Sequence, residues 1–245
     1  MKDFQTQRMQ DSSAVAYESN ATLLGAIDAP GYYPSAKPPT ESWRYEYVKR
    51  GLDILCAATM LLVFAIPGLL ITAAILLSSE GGVLYREERI GRGGRLFRIL
   101  KFRSMYRHAA QTGHIAPAPP GGIPVHRRMC KHLTDPRVTT VGGFLRRWSL
   151  DELPQLLNVL RGEMSLIGPR PVVEAETALY GDLLDFYLDA RPGLSGLWQV
   201  SGRSNIGYER RARLDSLYVR SWSLRGDLVI LLRTIPAVLK RVGAR

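Results

Sequence analysis

A chain of 245 residues holds one domain with appendages, or two small domains. Its formal charge of +11 calls for an anionic partner, and nucleic acid, anionic lipid headgroups and phosphorylated substrates all qualify. Two cysteines, Cys56 in an apolar run and Cys130 in a basic loop, exclude a disulfide framework and fit a reducing, cytosolic face.

Residues 1–43 are polar, show no secretory apolar core, and read as a disordered tail. Pro30, Pro34, Pro38 and Pro39 prevent a helix there. From Ile54 to Leu77 the chain reads ILCAATMLLVFAIPGLLITAAILL, 24 residues without a charge. Roughly 20 apolar residues cross a hydrocarbon core as a straight helix, so length permits a single-pass anchor. Pro67 sits near the midpoint, followed by Gly68. It removes one backbone hydrogen bond and crowds the preceding turn, which predicts a break. Each arm is then too short to span. Lys49 and Arg50 precede the segment, while Arg86, Arg89, Arg92, Arg95, Arg98 and Lys101 follow it. Cationic flanks favour the cytoplasmic side. A re-entrant hairpin over residues 44–82 satisfies both flanks and is the expected topology; a kinked spanning helix is the alternative.

Residues 83–245 predict a cytoplasmic domain of α+β class, mostly helical. Val83–Tyr85 and Arg95–Phe102 are strand patterns around the turn signal Gly91-Arg-Gly-Gly94, and Lys101 and Arg103 share one face at strand spacing. His108 to His132 is a Pro- and Gly-rich loop, and its His114, His126, Cys130 and His132 lack the spacing of a zinc site. Val141–Arg147 is a short amphipathic helix, with Phe144 and Leu145 opposite Arg146 and Arg147. Leu153, Leu156, Leu157 and Leu160 then form the stripe of a core-facing helix, closed by Gly162. Ala175–Leu188 and Arg210–Tyr218 are further helical patterns. Leu224–Val242, interrupted by Pro236 and carrying Arg233, reads as an interfacial or core helix.

The acidic pair in Ser149-Leu150-Asp151-Glu152 has two readings. As a capping box, Ser149 caps a backbone N–H and Glu152 reaches back, with acidic residues favoured by the helix dipole. The same geometry keeps Asp151 ionised, and an ionised carboxylate is a competent nucleophile towards an activated phosphate. Pro154 lies one place beyond the positions where a missing N–H is free of cost, so the helix tightens or restarts there. Cations surround the pair: Arg137, Arg146 and Arg147 before it, then Gly168-Pro-Arg-Pro171, Arg191-Pro-Gly193 and Gly202-Arg203 after it. An arginine on a rigid turn presents its planar fork to phosphate at little entropic cost, and three such loops suggest a diphosphate substrate.

At these residues the chain, from Tyr45 to about Val238, resembles the bacterial sugar transferase family, the monotopic polyprenyl-phosphate phosphoglycosyl transferases. The matching stretches are Lys49-Arg-Gly-Leu-Asp53, Lys101-Phe-Arg-Ser-Met105, Leu145 to Gln155, Asn158 to Pro171, Arg191-Pro-Gly-Leu-Ser-Gly-Leu-Trp-Gln199 and Gly202-Arg203, in family order. The resemblance implies a re-entrant membrane helix broken at Pro67, on the cytoplasmic face of the bacterial inner membrane. It implies an Asp151–Glu152 catalytic dyad that also binds Mg2+. A ping-pong reaction follows from it: Asp151 attacks the sugar-linked phosphate of a UDP-sugar, UMP leaves, and polyprenyl (undecaprenyl) phosphate takes the sugar phosphate, the first membrane step of exopolysaccharide or other glycoconjugate synthesis. Lys101, Arg103, Arg146, Arg170, Arg191, Gln199 and Arg203 are the implied substrate contacts, and Asp215 matches a family acidic position. A hexose is favoured over an N-acetylated sugar. Membrane lipid is an implied partner, nucleic acid is not, and a homo-oligomer stays open.

The chain departs from the family pattern at Ile66, where a small polar residue often precedes the breaking proline. The loop from His108 to His132 and the tail before Trp43 have no assigned counterpart, and an additional multi-span region of larger members has no match in these residues. The competing reading is a membrane-tethered basic binding or scaffold module without catalysis. Its support is charge alone, since the aromatics do not cluster with arginine as a base-stacking surface does.

Overall fold

The computed structural model describes residues 39–106, 137–202 and 207–239. The expected disordered tail up to residue 38 and the loop from His108 to His132, with Cys130, lie outside them. Pro39–Glu41 forms a 3-10 turn with Thr40 buried, and Arg44–Lys49 is a π-helical turn that leads into α1 (Arg50–Val63). After Phe64 the chain continues as α2 (Ala65–Ser78), and the two arms diverge by 61°. The break therefore falls at Phe64 (φ −91°, ψ 10°), three residues before the expected position. Pro67 stands in the first turn of α2, where an N–H has no intrahelical acceptor to lose, and its ring excludes the Val63 carbonyl from the ladder. Among the described residues no single helix is long and apolar enough to cross a membrane; the bent pair passes by length and composition.

Much of this pair lies open on the surface. Leu62 is 80% exposed and Leu77 89%, with Ile66, Leu69 and Leu70 exposed between them. The polar residues before it do the opposite. Lys49 donates to Asp227 Oδ2 at 2.6 Å, Arg50 donates to the carbonyls of Val159 (2.6 Å) and Leu160 (2.9 Å), and Asp53 Oδ1 accepts from the Leu166 N–H at 3.1 Å. Two of the cations read as flanking charge are thus internal fastenings. At the other end, Arg103 donates to the carbonyls of Ser79 (2.7 Å) and Glu80 (2.8 Å), just after α2. Both ends of the apolar pair are tied to one polar domain.

In that domain β1 (Leu84–Ile90) pairs antiparallel with β2 (Leu96–Phe102), in register from Leu84↔Phe102 to Ile90↔Leu96. The first strand runs past the expected Tyr85 because pairing with an apolar partner overrides the low strand propensity of Arg86-Glu-Glu-Arg89. The predicted turn forms with Gly93 and Gly94 at φ 65° and 76°, in the left-handed region glycine tolerates. Helix α3 (Thr140–Arg147) follows, then a 3-10 turn at Leu150–Glu152 and α4 (Gln155–Arg161). Short parallel strands β3 (Ser165–Ile167) and β4 (Gly193–Ser195), too brief to show periodicity, bring the two proline-glycine loops together. Between them the expected helix over 175–188 is divided into α5 (Glu174–Thr177), a 3-10 turn and α6 (Leu184–Leu188), with Gly181 at φ 48° inside the division. After α7 (Leu197–Val200) come α8 (Tyr208–Arg220) and α9 (Leu224–Leu239). Helix α9 runs through Pro236, which does not interrupt it. Leu232, whose carbonyl loses its donor, is exposed there, and Leu228, Val229, Leu231 and Ile235 are exposed beside it.

The core joins these parts. Tyr45 and Ala57 from the N-terminal helical run pack with Leu156, Val159, Met164, Ile167, Val219 and Trp222, and Cys56, a free thiol, lies against them. The stripe predicted for α4 is shifted: Leu156 and Val159 are buried, but so are Gln155 and Asn158, while Leu157 is exposed. Asn158 explains the shift. Its Oδ1 accepts from the Leu100 N–H (3.0 Å) and its Nδ2 donates to the Arg98 carbonyl (2.8 Å) and to Glu163 Oε2 (2.7 Å), so one fully buried amide extends the ladder of β2 onto α4. Asn158→Ala leaves a buried N–H and carbonyl unpaired and is expected to cost about 2–4 kcal/mol, read as a lowered denaturation midpoint in detergent; a midpoint within error of wild type would refute this anchoring role.

Candidate active site

Helix α3 is set by a close approach. Thr139 Oγ1 accepts from the Gly142 N–H at 2.8 Å and the Thr139 N–H donates to the Ser104 carbonyl at 3.1 Å. A Cβ on Gly142 would sit 2.0 Å from that same carbonyl oxygen, so only glycine lets α3 lie against the end of β2. This places Arg146, in the last turn, where its Nε donates to Ser104 Oγ at 2.9 Å.

The chain then turns sharply into the acidic pair. Ser149 takes φ 55°, ψ 21°, the one positive φ at a non-glycine residue among those described. An N-cap needs extended backbone, so this conformation corrects the capping-box reading: Ser149 makes no side-chain capping bond. A left-handed non-glycine residue costs roughly 1–2 kcal/mol and persists where its surroundings over-determine it. The restart expected at Pro154 is present. Leu153 N–H donates back to Leu150, Leu157 N–H to Pro154, and α4 begins at Gln155, because proline denies the ladder its donor. Asp151 and Glu152 are therefore carried on a separate tight turn rather than in the first turn of a long helix.

Lys101 Nζ donates to Glu152 Oε1 at 2.7 Å, a pair with side chains 27% and 37% exposed. Burial, and then the neighbouring Glu152 charge, push the Asp151 carboxyl up to about 6, against the lowering influence of Lys101 and Arg146. Lys101 and Arg146, helped by the Asp151 backbone N–H, thus keep Asp151 largely ionised at neutral pH, without a side-chain helix cap. The pair offers two carboxylates; no group of three or more metal-binding side chains occurs among the described residues.

The remaining sequence candidates separate. Arg103, which shares a strand face with Lys101, is turned onto the end of α2. Arg191 pairs with Glu46 at 3.3 Å, its own N–H donating to the Tyr45 hydroxyl, and Arg92 contacts the same Glu46. The glycines of the two loops serve their mutual contact. A Cβ on Gly193 would meet Gly168 N at 2.1 Å, and the Gly193 N–H donates to the Pro169 carbonyl at 2.8 Å. Arg170 stacks over Trp198, and Asp215 lies fully buried nearby, its Oδ2 accepting from the Tyr180 hydroxyl (2.8 Å) and the Arg170 N–H (3.3 Å). Burial pushes Asp215 up to about 7, opposed by those hydrogen bonds and by the charges of Arg211 and Arg170. Gln199 is half-buried beside Gly196, and Arg203 lies outside the described residues. Asn158 and Ser149 carry no signal of these roles in their spacing. A cleft of about 480 Å³ lined by Arg86, Leu96, Arg98, Leu157 and Arg161 explains the exposure of Leu157; neither Asp151 nor Glu152 lines it.

The folded state binds a proton on Asp151 up to about pH 6, whereas an unfolded aspartate loses it near 3.8, so wild-type stability falls as pH rises between those values. Asp151→Asn is expected to raise the Tm by a few degrees at pH 8, with the gain shrinking as pH drops from 6 towards 4. Melts at both ends of the window check this; equal shifts at the two would exclude titration as the origin.

The bacterial sugar transferase model matches residues 44–241. An exopolysaccharide production protein, ExoY, of Rhizobium meliloti is 49% identical over 197 residues, covering 80% of this chain and 87% of the relative. The UDP-glucose:undecaprenyl-phosphate glucose-1-phosphate transferase of Caulobacter vibrioides is 44% identical over 201 residues, covering 78% and 69%. An undecaprenyl-phosphate galactose phosphotransferase of Salmonella typhimurium is 44% identical over 200 residues, 81% of this chain but 42% of that longer protein.

Proposed function

The chain belongs to the bacterial sugar transferase family, and from that premise we propose that it transfers a hexose 1-phosphate from a UDP-sugar to undecaprenyl phosphate at the inner face of a bacterial plasma membrane. The product feeds exopolysaccharide or related glycoconjugate assembly. The observation that carries the reading is the acidic pair on its strained turn, faced by Lys101 and Arg146. A carboxylate raised to about 6 is ionised at neutral pH yet basic enough to attack phosphorus.

In the first half-reaction Asp151 Oδ attacks the sugar-bearing phosphorus. The anhydride bond breaks and UMP departs with the electron pair, leaving a glycosyl-phosphoryl aspartate. In the second, an oxygen of the lipid phosphate attacks that phosphorus and the Asp151 carboxylate is released, giving a lipid diphosphate sugar. Lys101 and Arg146 stabilise the charge that builds on the phosphoryl oxygens. Mg2+ fits this donor set, since the ion usually takes one or two carboxylates and fills its shell with substrate phosphate and water. Asp151 and Glu152 would hold it, and it would neutralise the diphosphate. Galactose or glucose is the proposed sugar, as in the names of two relatives.

Membrane seating is supported by the exposed apolar residues of α1, α2 and α9, among them Leu62, Ile66, Leu69, Leu77 and Leu232. Re-entry is supported by the fastening of both ends of the bent pair, Arg50 at one and Arg103 at the other, to the same domain. A spanning helix would part its ends by about 30 Å of hydrocarbon.

Asp151→Ala and Asp151→Asn are each expected to lower UMP release from UDP-galactose or UDP-glucose by a thousandfold or more while membrane fractionation is unchanged. Turnover retained in either variant would remove Asp151 as nucleophile. Cysteine tags at the two ends of the chain are expected to react with an impermeant reagent from the cytoplasmic side only; labelling of one end from the opposite side would establish a spanning helix.

A further inference from the structure

Arg170 and Arg211 converge on one indole. Their guanidinium carbons lie 5.2 and 4.4 Å from the ring centroid of Trp198, itself 7% exposed. Two cations on one ring repel, and after burial the charge of Arg170 is the next cause that lowers the pKa of Arg211. Asp215, the carboxylate that both charges influence, does not neutralise them by contact. Its Oδ2 is occupied by the Tyr180 hydroxyl and the Arg170 backbone, and its Oδ1 has no hydrogen-bond partner among the described residues. The Nε of each guanidinium is likewise buried without one. Two like charges on one ring, with the nearby carboxylate in contact with neither guanidinium, favour an anionic acceptor from outside. The ligand that suits two planar forks held on one indole is a tetrahedral oxyanion with several acceptor oxygens.

We propose that Arg170 and Arg211, braced on Trp198, form a phosphate-binding subsite, in which Arg211 is a substrate contact that neither motif nor resemblance assigned. The proposal rests on the reading that this enzyme handles a nucleotide diphosphate and a lipid phosphate, each of which carries the required group. Asp215 is the positioning residue: through the Arg170 N–H it holds the loop that presents one fork, and its charge tempers the repulsion between the two.

The test uses the full chain in nanodiscs, labelled with 5-fluorotryptophan, with the Trp198 resonance identified by Trp198→Phe. Titration with pyrophosphate, without added Mg2+, is expected to move that resonance to saturation in wild type and in Asp151→Asn alike. Arg211→Gln is expected to need at least tenfold more pyrophosphate. Arg211→Lys, which keeps the charge but not the fork, is expected to need at least threefold more, and it decides the matter alone if the glutamine variant does not fold. A Trp198 resonance that stays still in wild type, or an unchanged midpoint in Arg211→Lys, overturns the subsite. Parallel arms with UDP and with nanodiscs containing undecaprenyl phosphate identify the source: movement with either supports the proposal and names the substrate, and movement with neither overturns it. Because binding is read without turnover, a shift at Trp198 in a protein that releases no UMP would preserve the subsite while refuting the transferase reading.

Discussion

Lys49 and Asp227 are 178 residues apart in the chain and meet at 2.6 Å, with side chains 4% and 13% exposed. Asp227 also accepts from the Trp222 indole (3.0 Å) and the Tyr218 hydroxyl (2.8 Å), and Lys49 lies 3.9 Å from Asp53, whose carboxylate holds the Leu166 N–H. A buried ion pair is a weak net stabiliser, but removing one partner strands the other, at a cost of about 3–5 kcal/mol. Its value here is geometric. It joins the root of an apolar helix pair to α8, α9 and β3, so that surface unsuited to water and the polar chemistry keep one fixed relation.

From that root the acidic turn is positioned through a short series of contacts. Arg50 closes the carbonyl end of α4, Asn158 ties α4 to β2, and β2 delivers Lys101 to Glu152. On the other side, Gly142 admits α3 against Ser104, which orients Arg146. Two independent attachments thus converge on a turn of three residues, and the left-handed Ser149 is tolerated because both neighbours are held. The electrostatic outcome is a compromise. Burial and Glu152 raise Asp151, while Lys101 and Arg146 limit the rise, leaving a carboxylate that titrates near 6 instead of either extreme.

The arginine loops illustrate a different division. Glycine and proline in Gly168-Pro-Arg-Pro171 and Arg191-Pro-Gly193 suggest rigid turns, and the turns are present. Their glycines are needed for backbone contact between the loops, however, and Arg191 is directed to Glu46. Rigidity follows from local residue type. The direction of a long side chain does not, because its partner comes from a distant part of the chain.

Legible in the residues alone were the apolar pair and the proline beside its break, the hairpin with its glycine turn, the restart at Pro154, the family, and the acidic pair with its surrounding cations. Each depends on neighbours within a few residues, or on motifs that stand in order along the chain. Long-range contacts settle the rest: Lys49, Arg50 and Asp53 are internal fastenings, Asn158 displaces leucine from the buried face of α4, Ser149 bends instead of capping, and Arg211 joins Arg170 on Trp198. Those outcomes turn on which buried donor finds which acceptor across the fold. Hydrophobic periodicity carries no information about that, since a polar residue reads as outward-facing until its partner is known.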